Sequence, residues 1–234
     1  MKNMKKNVNL SVAVMVVVMI ALLSVFKLKK TDKQIFTDVY KRNAWIGGSG
    51  PGSKIENAGP FLTYLQNFID KQKISTIVDI GCGDWELMKN IRILDHIQYL
   101  GLDIVDEVIT NNQAKYSKNN VHFKAVDSVE ELSSYNGDLL IIKDVLQHWH
   151  KDKIFYAIKN IIPNFRYAII VNSIKLQRSA DLDSETEEAR LLDLKEAPFF
   201  MKNLKFITDY ELVTEYDVKR IYLYVRDEAD PLNN

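Results

Sequence analysis

Ile77-Val78-Asp79-Ile80-Gly81-Cys82-Gly83-Asp84-Trp85 is the stretch whose reading decides the fold. The apolar run entering it lacks the period-2 alternation of a half-solvated strand, so it reads as a strand buried on both faces, as in a parallel sheet. Gly81 and Gly83 lack a Cβ, which lets the backbone turn tightly and lets a ligand approach it. A helix is expected just after, over Trp85–Ile93. A strand, a glycine turn and a helix N-terminus form a nucleotide-sized site in open α/β sheets.

Working outward, strand and helix patterns alternate. Strands are expected at Ser75–Ile80, Gln98–Ile104, Val121–Val126, Asp138–Lys143 and Phe165–Asn172, and helices at Val105–Tyr116 and Lys151–Ile162. Such alternation gives a parallel sheet with helices on both faces. Two closing runs, Glu211–Tyr216 and Arg220–Arg226, flank Asp217-Val218-Lys219, short enough for a hairpin. The expected fold is α/β: a doubly wound, mostly parallel seven-stranded sheet with a terminal antiparallel hairpin.

Ahead of the sheet, Val8–Phe26 is a nineteen-residue run without a charge, long enough to span a hydrocarbon core. Lys2, Lys5 and Lys6 precede it and Lys27, Lys29, Lys30 and Lys33 follow. The run is long for a cleaved signal and no small-residue cleavage site follows, so a transmembrane helix is expected, with residues 1–30 as an N-terminal membrane anchor. Thr31–Trp45 has helical spacing. Ile46–Ser53, with four glycines and a proline, is a loop. It reads as a linker or as a cradle for an anionic group. Pro60–Lys73 reads as a helix with Phe61, Tyr64, Leu65 and Phe68 on one stripe, and Pro60 at its first position. Ile174–Lys195, acidic from Asp181 to Glu188, reads as a long loop of the kind that forms lids.

The 31 basic and 31 acidic residues of the 234 cancel, which argues against nucleic acid as a partner. Cys82 is the only cysteine, so no intramolecular disulfide and no multi-cysteine zinc site can form, and His96, His122, His148 and His150 include no HExxH pair. No metal is expected.

Asp103 ends the second strand, twenty residues after Gly83. A carboxylate there can accept from both ribose hydroxyls of a nucleoside, although an isolated Asp at a strand end can equally cap a helix. A dinucleotide fingerprint wants a small residue where Glu86 stands, and Asp84 adds negative charge beside the turn. An acidic turn suits a cationic cofactor better than a pyrophosphate. S-adenosylmethionine (SAM), with a sulfonium, an ammonium and no phosphate, is such a cofactor.

The stretches VDIGCGDW, LGLDIV and AVDS, and Lys143-Asp144-Val145-Leu146-Gln147-His148, resemble class I SAM-dependent methyltransferases in order and spacing, over about Ile74–Arg226. A closer resemblance is to a group within that class, carried by Asn43-Ala44-Trp45, Ser49-Gly50-Pro51-Gly52-Ser53, Gly81-Cys82-Gly83-Asp84 and Ala197-Pro198-Phe199. The chain departs from it in the acidic Asp181–Glu188 region. The resemblance implies a SAM-binding methyltransferase domain over residues 74–234, with residues 31–73 contributing helices and a Gly-rich loop over the cofactor. It implies that Asp79, Gly81 and Gly83, with Cys82 between them, hold the methionine part. Asp103 and Ile104 would hold the ribose and adenine, and Asp127 and Ser128 the adenine edge. Asp144 and Val145 would line the pocket beneath the sulfonium. By analogy, Trp45, Ser49 and Gly50 belong to a lid over the methionine end.

Methyl transfer from a sulfonium is an in-line displacement, for which the protein supplies alignment and exclusion of water. His148, with Asp144 beside it, is the candidate catalytic group if the acceptor must lose a proton. The competing role for His148 is capping or packing the following helix. Cys82, between two turn glycines, reads as packing rather than as a nucleophile. Tyr40, Trp149 and Arg190 are further substrate-side candidates, each with a structural reading beside it. The expected protein is a membrane-anchored methyltransferase with a small-molecule or lipid-linked acceptor. Its membrane partner binds through residues 8–26, and its catalytic domain faces the cytosol, in keeping with a single cysteine. The alternatives are a catalytically silent SAM-fold binding module and, disfavoured by Glu86 and the terminal hairpin, a nicotinamide-dependent enzyme.

Overall fold

The computed structural model describes residues 30–176, 189–213 and 217–226. The expected transmembrane helix over Val8–Phe26 and the acidic Asp181–Glu188 region lie outside the described residues. Among those described, no helix is long and apolar enough to cross a membrane.

The elements are α1 (Asp32–Lys41), α2 (Ile55–Lys71), β1 (Thr76–Ile80), β2 (Gln98–Asp103), α3 (Asp106–Tyr116), β3 (Val121–Ala125), α4 (Val129–Leu132), β4 (Gly137–Lys143), α5 (Lys151–Asn160), β5 (Phe165–Leu176), β6 (Leu204–Glu211) and β7 (Asp217–Val225). The seven strands form one sheet in the order β3-β2-β1-β4-β5-β7-β6. β1 pairs in parallel with both β2 and β4, while β7 is antiparallel to β5 and β6. Both faces of the central strands are buried, which is why their sequences read as unbroken apolar runs. In β4, Leu139 and Ile141 join the core on the α2 and α3 side, and Leu140 and Ile142 join the core under α4 and α5. Over the second core, Leu192, Leu194, Phe199 and Met201 of the 189–201 segment lie buried without forming a helix.

Strand order reverses between β1 and β4, because the chain runs outward through β2 and β3 and then returns to β4 on the other side of β1. In open α/β sheets the crevice outside the C-terminal ends of two such strands is where ligands bind. Here Gly81–Gly83 leaves β1 on one lip of that crevice, and Asp144–Val145 leaves β4 on the other.

Four expectations need correction. Trp85–Ile93 is not a helix. Trp85 sits at φ 59°, a left-handed conformation that cannot continue an α-helix, and the segment contains only the short 3-10 turn Met88–Asn90. Pro60 is not a first helical residue: α2 already begins at Ile55, its first turn held by buried Asn57 and Ala58, and exposed Pro60 lies inside it. The fifth strand continues to Leu176, past a register shift at Ser173/Lys175. Finally, β6 begins at Leu204, and Asp217-Val218-Lys219 belongs to β7 rather than to the turn. Asp217 and Lys219 are buried there and paired, which draws those residues into the strand.

Candidate active site

At the β1 lip, Gly81 and Gly83 take φ values of 71° and 55°. A Cβ at Gly81 would overlap the Val145 side chain and one at Gly83 the Ser49 hydroxyl, so the turn admits no larger residue. Asp103, buried at the end of β2, secures the turn across the strand gap. One of its carboxylate oxygens accepts from Gly83 N at 3.0 Å and the other from Val105 N at 3.0 Å. A carboxylate offers about four lone-pair sites, and the Ile104 amide engages this one as well as those of Gly83 and Val105. Burial raises the Asp103 carboxyl above its ordinary value, and the backbone amides only partly offset it.

Asp79, one strand inward, accepts from the Tyr99 hydroxyl. Burial and the Asp103 carboxylate push its pKa to about 7, against the opposing effect of Tyr99 and Lys143. Cys82 is buried, and its thiol is pushed well up by burial and by the Asp103 and Asp79 charges. It stays protonated and is no nucleophile. Ile104 follows Asp103 half-buried.

The β4 lip is built from paired charge. Asp144, at φ 58°, accepts from Lys143 Nζ and forms an ion pair at 2.7 Å with Lys219 Nζ of β7. Lys219 also meets Asp217 at 2.7 Å and Ser173 Oγ at 2.6 Å. Burial alone would raise the Asp144 carboxyl, but the two ammonium groups hold it well below the usual carboxylate range. It is therefore ionised and a poor proton acceptor. Val145 lines the crevice against Gly81.

The Gly-rich loop lies across both lips. Ser49 N donates to Asp84 at 3.1 Å, Asp84 N donates to Ser49 Oγ at 2.8 Å, and the Tyr40 hydroxyl shares a 2.8 Å bond with the same Ser49 oxygen. On the other lip, Lys143 Nζ donates to Gly52 O at 2.7 Å. Gly50 is buried within the loop. Trp45 packs on the ring of His148 at 5.5 Å, and Phe36 of α1 meets both rings at 5.9 Å. His148 itself is buried on the 3-10 turn Leu146–His148 that follows β4. At its start α1 is tied to both flanks of the crevice: Asp32 to Lys153 of α5 at 2.6 Å, and Lys33 to Asp106 at 2.9 Å and Asp127 at 2.7 Å. Ser128 caps α4, its hydroxyl accepting from Glu131 N at 3.3 Å.

The structure thus brings Asp79, Gly81, Cys82, Gly83, Asp103, Asp144, Val145, Ser49, Gly50, Trp45 and His148 around one crevice. Asp127 and Ser128 stand at its outer rim, with the Asp127 side chain 81% exposed. Sequence reasoning missed Lys143, Lys219, Asp217 and Tyr99. A lysine two residues from an aspartate, at the head of a strand that is apolar after Arg220, was the one available signal for Lys219 and Asp217. Arg190 is fully buried, its N–H donating to Gln147 O at 3.2 Å.

No protein-family model matches the sequence, and no curated protein matches it. Solved structures do share its fold. A SAM-dependent methyltransferase from Anabaena variabilis superposes with a TM-score of 0.60 at 8% identity, covering 85% of this chain and 96% of that one. The magnesium protoporphyrin IX methyltransferase ChlM from Synechocystis, solved with bound SAM, gives 0.55 at 16% identity, covering 86% and 100%. TehB from Haemophilus influenzae gives 0.53 at 15% identity over 72% of this chain, which spans 62% of TehB's length. The fold is that of class I SAM-dependent methyltransferases.

Proposed function

We propose that this chain is a membrane-anchored, SAM-dependent methyltransferase acting on a small-molecule or lipid-linked acceptor. The observation that carries the cofactor reading is Asp103. Its carboxylate holds the glycine turn at the topological switch point, where a ligand's ribose hydroxyl can reach its remaining acceptor capacity. The missing helix after β1 supports the same reading. Without a helix N-terminus behind the turn there is no ready-made pyrophosphate site, and the Asp84 and Asp103 carboxylates beside the turn disfavour one further. A nicotinamide dinucleotide fits this poorly; a cofactor with a sulfonium and an ammonium fits it well.

SAM supplies a methyl group already activated on sulfur, so the chain's own residues need to hold, orient and shield. Asp103 and Ile104 hold the ribose and adenine side, Gly81 and Gly83 with Asp79 the methionine side, and the Ser49–Ser53 loop covers them. The Trp45, Phe36 and His148 rings exclude water beside the β4 lip. Because Asp144 is committed to two lysines, His148 is the group that takes a proton from an acceptor that carries one. The likeness of the Asn43–Trp45 and Ser49–Ser53 stretches to one group within the class supports this role for the loop. The anchor reading rests on the uncharged run Val8–Phe26 and its lysine flanks, with the domain on the cytosolic side.

Calorimetric titration of the full chain in detergent with SAM and with its demethylated product tests the reading. Both are expected to bind, and Asp103→Ala is expected to lose at least tenfold in affinity, since hydrogen bonds to a charged group contribute about 1.5–3 kcal/mol. A folded protein that binds neither compound would overturn the proposal.

A further inference from the structure

The mouth of the crevice carries an apolar patch that the fold does not use. Ile46, at the tip of the loop, is 80% exposed, Val213 79% and Ile55 57%. Internal bonds bring the three to one rim. Lys54 Nζ donates to Gly47 O at 2.7 Å, setting residues 46–47 beside residues 54–55. Val213 N donates to Asn57 Oδ1 at 2.8 Å, setting the end of β6 against the start of α2. Ile46 is also held at φ 52°, where a β-branched side chain is an outlier. A strained conformation that turns an isoleucine into solvent points to use rather than to packing. Lys41 and Arg42 are exposed just ahead of this tip, and Glu56 is the exposed carboxylate beside it.

Charge along the chain points the same way. Leaving aside the anchor and its own lysine flanks, residues 31–54 carry four lysines and arginines against two carboxylates, whereas residues 55–234 carry 21 against 29. A neutral total thus conceals a basic leading segment on an acidic body. An anionic lipid surface attracts the first and repels the second, which turns the 41–55 rim toward the bilayer. Only five residues separate the uncharged run ending at Phe26 from the start of α1.

We infer that the rim formed by Ile46, Ile55 and Val213, flanked by Lys41, Arg42 and Lys54, seats on the anionic lipid surface, so that the acceptor side of the crevice opens onto the membrane and draws a lipid-borne acceptor from it. The inference rests on the anchored-methyltransferase reading and adds a second, peripheral contact to the anchor. Trp45 links the two functions: it precedes Ile46 and packs on His148.

The full chain reconstituted into vesicles tests it. Cys82 is the only cysteine and is buried, so a thiol placed by Ala44→Cys beside the rim takes an environment-sensitive fluorophore selectively. Leu94→Cys, ahead of β2 at the opposite end of the sheet, serves as the control. In vesicles containing phosphatidylglycerol, the probe at 44 is expected to shift to the blue and to be quenched by spin-labelled lipid, while the probe at 94 stays wet. Ile46→Ser with Ile55→Ser, and separately Lys41→Glu with Arg42→Glu, are expected to reduce that quenching severalfold. A probe at 44 as wet as that at 94, in protein that floats with the vesicles, would overturn the docking and leave the anchor standing. So would protection of the rim by another protein without lipid quenching. Failure to float would remove the anchor and the docking together. SAM titration on the same vesicles reports independently on the methyltransferase reading.

Discussion

The two lips of the crevice hold the same residue type in opposite states. On the β1 side, Asp79 and Asp103 are buried with hydroxyl and amide donors, and burial raises both carboxyls. On the β4 side, Asp144 is buried with two ammonium groups and is held far down. Asp79 and Ile141 are register partners, so the lips stand on adjacent strands of one sheet. The difference lies in what each carboxylate does. Asp103 fastens the glycine turn to the end of β2 through backbone amides. Asp144 spends its charge on fastening β7, through Lys219, and, by way of Lys143, the Gly-rich loop at Gly52. The β1 lip fastens its own turn, and on the proposed reading takes the cofactor, while the β4 lip is a joint between three distant segments.

Breaking the joint is expected to have the largest effect. Lys219→Met leaves Asp144 and Asp217 buried with one ammonium group fewer, and removing one partner of a buried ion pair costs roughly 3–5 kcal/mol. Urea unfolding of the detergent-solubilised protein checks this. A loss under about 1 kcal/mol, typical of a surface pair, would show that the cluster is solvated and that the contrast between the lips is false.

The two lips were unequally legible in the sequence for the same reason. The β1 lip is local. Asp79, Gly81, Gly83 and Asp103 fall within one strand–turn–strand unit, and the spacing of that unit carries their geometry. The joint brings the adjacent pair Lys143-Asp144 together with Gly52 and Lys219, which no spacing relates to it, and with a β7 start concealed by the apparent turn Asp217-Val218-Lys219. The central strands β1 and β4 were readable because burial on both faces leaves unbroken apolar runs, whereas the half-exposed edge strand β6 was expected at Glu211–Tyr216 and lies at Leu204–Glu211. The helix after β1 was not, because its failure depends on one torsion at Trp85 that the residue type does not announce.

The contrast also has a pH signature, of similar or smaller size. Asp79 has an ordinary pKa of 3.8 in the unfolded chain and about 7 in the folded one. Between these values the folded state binds the proton more tightly, so this group's contribution to stability falls as pH rises from about 4 to 7. The full span is on the order of 4 kcal/mol. Asp144 has the opposite sign: its contribution stands above the ordinary carboxylate range and is lost as pH falls below it. Asp79→Asn, which can still accept from Tyr99, is expected to flatten the slope between pH 4 and 7 and to leave the acid loss intact. Urea midpoints measured across pH decide this; an unchanged slope in the variant would assign it to another group.

The smallest effect is expected at the outer rim, where Lys33 pairs with Asp106 and Asp127 in open solvent. The Asp127 side chain is 81% exposed and that of Lys33 33%. Exposed pairs of this kind contribute under about 1 kcal/mol, so Lys33→Ala is expected to leave the unfolding midpoint nearly unchanged. Its effect belongs on the cofactor. With Lys33 gone, Asp127 can accept from an adenine amino group without first giving up an ammonium partner. SAM affinity is then expected to rise by roughly two- to fivefold at low salt and to converge with that of the parent at high salt, where screening has already weakened the pair. Asp127→Ala is expected to lower affinity at either ionic strength. If Lys33→Ala instead destabilises the fold by several kcal/mol, α1 is a structural member of the sheet's cover. A third tied charge cluster would then stand where the comparison of the two lips places an adjustable rim.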